Sequence, residues 1–366
     1  MLIDIIAGAR PNFIKIAPII EAIKLQSAAG KDMQYRLVHT GQHYDKKMSG
    51  DFFDQLNIPN PDYNLEAGSG TQAEQTGKIM IGYERLLLEK PCDLCIVVGD
   101  VTSTMACSIA AKKINNINVA HVEGGIRSGD WTMPEEINRI VTDSISDYFF
   151  TTSVTANNNL RKSGVPDEKI FFVGNTMIDT LYKQMPRFTK PPIWDDARLE
   201  ERNYIIMTLH RPANVDNGTK LKELISEIVR ASNNLPVIFP VHPRTAKMLD
   251  TIGISDCNLH VIDPLGYLEF NYLVKNAKAI ITDSGGITEE ATVMGVPCMT
   301  LRENTERPET CTLGTNELLG MDPGNIAPAF RKLFSGNWKK GVIPELWDGK
   351  TAERIVNKIA IIFGLS

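Results

Sequence analysis

The stretch Ile281–Ala291, ITDSGGITEEA, indicates the fold class, because a β-branched run ends in Gly-Gly and opens directly into a helix with two adjacent glutamates. Gly285 and Gly286 allow the backbone to approach a ligand, and Ser284 is suited to cap the helix. The unpaired amides of a first helical turn attract negative charge, which is typical of a phosphate site. A Gly-Gly turn between strand and helix also occurs for packing alone, so this stretch by itself leaves both interpretations open.

Short apolar runs alternate with helix-length segments on both sides of this turn, which predicts βαβ units and parallel sheets. The pattern breaks at the Pro-rich, charged stretch Pro186–Arg202 and then restarts. We therefore predict an α/β fold with two Rossmann-like, doubly wound domains, and a final helix at Thr351–Ile362. The predicted strands are Leu2–Ala7, Arg36–Thr40, Leu94–Gly99, Asn118–Val122, Tyr148–Thr152, Ile170–Val173, Tyr204–Leu209, Pro236–Val241, Leu259–Ile262, Ala279–Thr282 and Val296–Leu301.

The composition argues against several classes of protein. The chain has 366 residues and a net charge of −5 with no run of Lys and Arg, which disfavours nucleic acid as a partner. No window approaches about eighteen uninterrupted apolar residues, so no membrane span is expected. Six scattered cysteines suit a reducing cytoplasm, and Cys92-x-x-Cys95 lacks the second pair of a zinc site, so no metal is predicted.

Polar side chains follow most of the predicted strands. Ligands of doubly wound folds bind outside the carboxyl ends of the strands, so we expect these residues to face a cleft between the two domains. Gly8-Ala9-Arg10 is not a G-x-G-x-x-G fingerprint, which disfavours a nicotinamide cofactor. The strand-end candidates are Arg10, His39, Gln42, His43, Asp100, Glu123, His210, Arg211, His242, Arg244, Asp283 and Ser284.

Several of these residues have a plainer structural explanation. Asp100 precedes a helix that it is equally suited to cap. Glu123 is harder to explain in that way, because it stands between a buried strand and Gly-Gly, close to Arg127. Glu135 and Arg139 lie four apart on one helix face, so they form either an ordinary helix pair or an acid positioned beside a cation.

Two histidines share one pattern. His210-Arg211 and His242-Pro243-Arg244 each place a histidine at a strand end with an arginine within two residues. A single histidine is usually structural. The repetition beside the Gly-Gly turn favours a site for a doubly charged anion.

Seven motifs, in the same order along the chain, resemble those of the non-hydrolysing UDP-N-acetylglucosamine 2-epimerases and together span nearly its whole length. The resemblance implies a fold like the GT-B nucleotide-sugar glycosyltransferases, with a C-terminal helix that crosses back onto the first domain, and it implies a homodimer. The implied domains are residues 1–180 with 350–366, and residues 181–349. The motifs are GARPNFIK, VHTGQHYD, HVEGGIRSGD, MPEEINR, TLHRPANVD, PVHPR and TDSGGITEEA.

The resemblance also implies the reaction. UDP-GlcNAc and UDP-ManNAc are interconverted without a cofactor, by elimination of UDP to a 2-acetamidoglucal and re-addition of UDP, for surface polysaccharide precursors. Because the C2 proton is weakly acidic, stabilisation of the departing diphosphate is central. By position in the motifs, the catalytic residues are Asp100, Glu123, Glu135 and His210, and the substrate-binding residues are Arg10, Lys15, Arg139, Arg211, His242, Phe270, Ser284, Gly285, Gly286 and Glu290.

Regulation and substrate stay open. Many bacterial members bind a second, activating UDP-GlcNAc near the positions of Gln42, His43 and Glu136, helped by an arginine further along, but the later segment Ala67–Gly77, AGSGTQAEQTG, contains none. The same segment also resembles relatives that epimerise UDP-2,3-diacetamido-glucuronic acid. A GT-B glycosyltransferase, a hydrolysing epimerase and a non-catalytic nucleotide-sugar binder are the remaining alternatives.

Overall fold

A computed structural model of the chain describes residues 1–41, 55–56, 58–114, 117–241 and 243–365. The chain divides into two compact units. Unit 1 comprises Met1–Lys183 with Glu345–Ser366, and unit 2 comprises Gln184–Pro344. Each unit contains one parallel sheet flanked by helices, so the predicted α/β class with two doubly wound sheets is confirmed.

Unit 1 is built on strands that pair only in parallel within its described residues. The strands are β1 (Leu2–Ala7), β2 (Gln34–His39), β3 (Tyr63–Asn64), β4 (Leu94–Val98), β5 (Asn118–Val122), β6 (Tyr148–Thr151) and β7 (Ile170–Phe172). They form a 7-stranded sheet in the order β3-β2-β1-β4-β5-β6-β7. The helices are α1 (Arg10–Ala28), α2 (Gln72–Glu89), α3 (Thr102–Lys112), α4 (Pro134–Ile145), α5 (Val154–Lys162) and α6 (Thr176–Gln184).

Unit 2 repeats the arrangement with a 6-stranded parallel sheet in the order β10-β9-β8-β11-β12-β13. The strands are β8 (Ile205–Thr208), β9 (Val237–Pro240), β10 (Leu259–Ile262), β11 (Ala279–Thr282), β12 (Cys298–Thr300) and β13 (Asn316–Leu318). The helices are α7 (Ile193–Asp196), α8 (Pro212–Val215), α9 (Gly218–Ala231), α10 (Pro243–Ile252), α11 (Tyr267–Asn276), α12 (Gly285–Val293), α13 (Pro308–Thr312) and α14 (Ile326–Phe334).

The central strands are recognisable in the sequence because both of their faces are covered. All five residues of β4, LCIVV, are buried, as is usual where helices cover a parallel sheet on both sides. In β8, Ile205 and Met207 join one hydrophobic cluster, whereas Ile206 joins another with Tyr204, so successive residues pack on opposite faces. The predicted strands are confirmed to within about two residues at their ends. The short strands β3 and β13 were not predicted.

The last segment of the chain returns to unit 1. Helix α15 (Thr351–Ile362), predicted with these bounds, buries Ile355 and Ile359. Trp347, which precedes it, is 1% exposed and donates from Nε1 to the Thr152 carbonyl over 3.0 Å. Within the described ranges, no helix combines the length and the apolar content needed to cross a membrane.

Candidate functional site

Glu123 lies directly after β5 in unit 1 and is 3% exposed. Its backbone has a φ of 70°, a left-handed conformation that a glutamate adopts only where surrounding structure holds it. The Lys15 ammonium on α1 donates to Glu123 Oε2 over 2.8 Å. Gly99 leaves room for this pair, since a Cβ at residue 99 would lie 3.3 Å from Lys15 Nζ. The fold therefore brings a buried carboxylate and a buried cation together across two βα units.

A second carboxylate follows the neighbouring strand. Asp100, just after β4, accepts two hydrogen bonds from the Arg139 guanidinium of α4, one of them from Nε over 3.0 Å. Arg139 also donates to Glu136 over 2.6 Å. Both hydrogen bonds end on Oδ2 of Asp100, which therefore lies against the guanidinium cation. The Asp100 side chain remains 28% exposed. A partly accessible carboxylate beside a cation is suited to exchange a proton with a ligand.

Glu135 and Glu136 have different environments although they are adjacent. Glu136 is 1% exposed and accepts from the backbone amides of Ser128 and Gly129 as well as from Arg139. Burial opposes ionisation of Glu136, but these donors outweigh it and lower its pKa. Glu135 lies in the first turn of α4, half-buried, where the helix dipole favours a carboxylate. Glu136 thus fastens the Ser128–Gly129 turn, and its proposed allosteric contact stays a prediction.

His210 and Asp283 form a pair in unit 2. Asp283, fully buried at the end of β11, accepts from His210 Nδ1 over 2.6 Å and from the backbone amides of His210 and Arg211. Asn214 also donates to it. Burial raises the pKa of Asp283, but the histidine and the amides overcome this effect, so the pKa lies below its usual value. The aspartate orients His210, whose side chain is 61% exposed, with Nδ1 inward.

The Gly-Gly turn opens α12, as predicted, but with two differences. Ser284 occupies the N-cap position, yet its side chain makes no capping hydrogen bond, so the expected cap is wrong. Gly285 has a packing role, because a Cβ there would lie 2.5 Å from Glu306 Oε1. Gly286 follows it in the first turn of the helix, where backbone amides have no intrahelical acceptor. Gly285 therefore fits the packing interpretation, and the phosphate interpretation stays a prediction.

Glu290 lies further along α12 and is 6% exposed. Desolvation raises its pKa to about 7, although the hydroxyl of Tyr267 donates to its Oε1 over 2.6 Å and favours the ionised form. Phe270, on the same helix as Tyr267, is partly buried against the hydrophobic cluster that contains Tyr204 and Ile206. Glu290 is therefore a carboxyl group that changes charge near neutral pH.

Buried ion pairs after β12 were missing from the sequence predictions. Arg302 is 4% exposed, donates from Nη2 to Glu306 over 2.6 Å, and has an Nη1 with no hydrogen-bond partner among the described residues. Arg307 donates to Glu289 of α12. The signal was available, since LRENTERPE follows the predicted strand Val296–Leu301 at its carboxyl end.

Some predicted residues cannot be placed. Gln42, His43 and His242 lie outside the described residues, and the side chains of Arg10 and Arg244 do as well. Arg211 is placed, with Nε donating to the Asp283 carbonyl over 3.0 Å. Among the described residues there is no group of three or more His, Cys, Asp or Glu side chains that suits a metal ion.

Comparison with known proteins identifies the family of the chain. The family model for UDP-N-acetylglucosamine 2-epimerase matches residues 26–360. A UDP-N-acetylglucosamine 2-epimerase of Methanocaldococcus jannaschii is 42% identical over 97% of this chain and 98% of its own length. A UDP-2,3-diacetamido-2,3-dideoxy-D-glucuronate 2-epimerase of Pseudomonas aeruginosa is 39% identical over 87% of this chain and 88% of its own length.

Solved structures lead to the same family. The crystal structure of the Methanocaldococcus jannaschii UDP-GlcNAc 2-epimerase in complex with UDP-GlcNAc and UDP has a TM-score of 0.88 at 41% identity. The match covers 99% of this chain and 100% of that one. A putative UDP-N-acetylglucosamine 2-epimerase from Listeria monocytogenes has a TM-score of 0.89 at 30% identity, over 99% and 96% of the two chains. The chain therefore belongs to the UDP-N-acetylglucosamine 2-epimerase family, whose members are isomerases.

Proposed function

We propose that the protein is a non-hydrolysing UDP-GlcNAc 2-epimerase that interconverts UDP-GlcNAc and UDP-ManNAc. The observation that carries the proposal is the pair of strand-end carboxylates in unit 1, with Glu123 held by Lys15 and Asp100 held by Arg139. Inversion at C2 needs a proton to leave one face of the sugar and another to arrive on the opposite face. Two carboxylates in distinct environments are suited to these two tasks.

The diphosphate is assigned to unit 2. The first turn of α12, which begins at Gly285 and Gly286, offers backbone amides to an anion, and Ser284 precedes it. His210, oriented by Asp283, presents its exposed ring to the departing phosphate oxygen. Glu290 is assigned to the ribose hydroxyls and Phe270 to the uracil.

The chemistry proceeds through elimination. A carboxylate removes the C2 proton, the C2–H electron pair becomes the C1–C2 double bond of a 2-acetamidoglucal, and the C1–O bond breaks with both electrons leaving on UDP. In the return step, UDP attacks C1 while the opposite face of C2 receives a proton. We assign the two proton transfers to Glu123 and Asp100, with Glu135 orienting them. Donors directed at the diphosphate lower the barrier, because charge develops there in the transition state.

Proton NMR in deuterated water with UDP-GlcNAc tests this proposal. The wild type is expected to form UDP-ManNAc with deuterium at C2 and without accumulation of UDP. Glu123→Gln is expected to lose C2 exchange, by about 100-fold or more, because the amide cannot accept the proton. Full exchange in that variant contradicts the role of Glu123, and wild-type turnover only with an added acceptor sugar contradicts the epimerase assignment.

A second candidate substrate has a specific basis. The Pseudomonas aeruginosa relative at 39% identity is a UDP-2,3-diacetamido-2,3-dideoxy-D-glucuronate 2-epimerase. The same NMR assay with that uronate separates the two substrates by the ratio of their kcat/KM values. Accumulation of UDP with either sugar would instead identify a hydrolysing epimerase, and binding without turnover a nucleotide-sugar binder. The expected homodimer stays a prediction.

A further inference from the structure

His121 lies on β5, two residues before Glu123, and its ring is fully buried. Nδ1 is 2.7 Å from Oδ1 of Asp143 on α4, and Nε2 is 2.8 Å from the Gly99 carbonyl oxygen. The ring therefore joins the residue before Asp100 to the helix that carries Glu135 and Arg139. No atom of the His121 side chain is accessible enough to contact a sugar.

Both partners of the ring are acceptors. A backbone carbonyl has no proton to give, so Nε2 is the donor in the bond to Gly99. Burial raises the pKa of Asp143, but the His121 ring and the Arg127 guanidinium outweigh burial and bring the pKa below its usual value. Asp143 Oδ1 lies within hydrogen-bond distance of Nδ1, so the ring connects the Gly99 carbonyl to Asp143.

Asp143 also connects the His121 ring to the turn after β5, which carries Glu123. Its Oδ2 accepts from the Gly125 amide over 3.0 Å and from Arg127 Nη1 over 2.6 Å. Gly125 follows Glu123 by two residues, so one buried aspartate holds both the ring and the turn that carries Glu123. The turns at Gly99 and Glu123 each have a φ of 70°, and a non-glycine residue keeps such a conformation only under external restraint.

We infer that His121 is a positioning residue for the epimerisation: through its hydrogen bonds with the Gly99 carbonyl and with Asp143 it holds the Asp100 and Glu123 turns at a fixed separation. The inference rests on the proposed function, since it presumes that these carboxylates act on one substrate carbon. A misplacement of about 1 Å can cost about 100-fold in rate without changing the contacts that bind the substrate. His121 is accordingly expected to affect kcat rather than substrate affinity.

Two amide variants separate the two hydrogen bonds of the ring. In His121→Gln, the side-chain nitrogen takes the place of Nε2 and can donate to the Gly99 carbonyl. In His121→Asn, it takes the place of Nδ1 and can donate only to Asp143. H121N is expected to lower kcat by about 10- to 100-fold with an unchanged Kd for UDP, and H121Q to retain kcat within about 5-fold. Equal kcat values in the two variants, or a loss confined to UDP affinity, overturn the inference.

Asp4→Asn supplies the matched control. Asp4 is a fully buried carboxylate on β1 that accepts from Arg36 and from the Tyr83 hydroxyl, and it lies three residues before the end of its strand. D4N is expected to lower the Tm while kcat of the folded protein is kept. If D4N lowers kcat as much as H121N at a similar loss of Tm, the effect of His121 is general destabilisation and the inference is wrong.

Two further measurements complete the test. Should H121N not fold, Asp143→Asn replaces it, and kcat is expected to fall with UDP affinity kept; normal kcat in D143N overturns the inference. Nitrogen-15 NMR of histidine-labelled protein is expected to show a buried ring with a proton on Nε2, and its signal is expected to be absent from H121Q. A wild type without C2 exchange contradicts the proposed function, whereas normal exchange in wild type, H121N and D143N alike contradicts only the role of His121.

Discussion

Glu290 shows how the environment of one residue sets its chemistry. Desolvation raises the pKa of this carboxyl to about 7, while Tyr267 stabilises the ionised form through a hydrogen bond of 2.6 Å. A ribose hydroxyl donates more strongly to a carboxylate than to a carboxylic acid. If Glu290 binds ribose as proposed, substrate binding itself favours ionisation.

The same pKa predicts a pH dependence of stability. The pKa of Glu290 is higher in the folded state than the ordinary value of 4.5. The contribution of Glu290 to the free energy of unfolding is therefore complete below about pH 4.5 and is lost as the pH rises through about 7. Glu290→Gln cannot ionise. The free energy of unfolding of wild type, relative to E290Q, is therefore expected to fall by up to about 3 kcal/mol between pH 4.5 and 8. Urea unfolding of both proteins measures this difference in the free energy of unfolding. A difference that moves in favour of wild type at high pH contradicts the prediction.

Single residues also show where sequence reasoning stops. The motif around Glu123 predicts a functional carboxylate, but its left-handed backbone and its bond to Lys15 depend on residues 108 positions apart. Arg139 has candidate partners at Glu135 and Glu136, and the sequence pattern includes no signal for Asp100, 39 positions away. Partners distant in sequence meet only when the parallel strands align their carboxyl ends.

At the scale of elements, α15 depends on an acceptor from another helix. Its N-cap residue Lys350 makes no side-chain capping bond, and Asp179 of α6 instead accepts from the amides of Thr351 and Ala352 over 3.1 and 2.7 Å. The two first-turn amides would otherwise be buried without partners. Asp179 therefore attaches the start of α15 to α6 of unit 1.

Replacement of Asp179 by Ala is accordingly expected to lower the free energy of unfolding by about 1 to 3 kcal/mol, because it leaves buried amides unsatisfied. The matched control is Asp348→Ala. Asp348 pairs with Arg354 near the same helix, but its side chain is 45% exposed, so a loss of at most about 1 kcal/mol is expected. Thermal unfolding measures both variants, and equal losses would refute the role of Asp179.

Strands and helices differ in how far their sequences predict them. The fully buried strands are short apolar runs, as in LCIVV of β4, and they are predicted because both faces need apolar residues. The two-residue strand β3 has no such pattern, since its Tyr63 and Asn64 are recognised only by their pairing with β2. The capping of α12 was predicted wrongly because a serine at an N-cap position has other conformations available.

At the scale of the whole molecule, unit 1 is discontinuous in sequence and is closed by the returning segment Glu345–Ser366. Trp347 anchors this return. It is 1% exposed and donates to the Thr152 carbonyl. Gly174 permits the close approach, because a Cβ there would lie 2.1 Å from the Leu346 carbonyl oxygen, and its φ is +104°.

Trp347→Ala is therefore expected to destabilise unit 1 by about 3 to 5 kcal/mol through loss of buried area and of one hydrogen bond. Trp131→Ala is the control, because Trp131 is 67% exposed and its removal leaves no cavity. Guanidinium unfolding followed by far-UV circular dichroism provides the comparison. Similar midpoints for W347A and wild type would show that the returning segment contributes little to unit 1.

The amino-acid sequence by itself determined the α/β class, the positions of the central strands and the strand-end residues of the candidate site. It did so because apolar periodicity and turn chemistry are local properties of the chain. Tertiary structure alone decided which polar groups meet: Lys15 with Glu123, Arg139 with Asp100, and His121 with Gly99 and Asp143. Those contacts join residues 22 to 108 positions apart, and only the alignment of parallel strands brings them within hydrogen-bond distance.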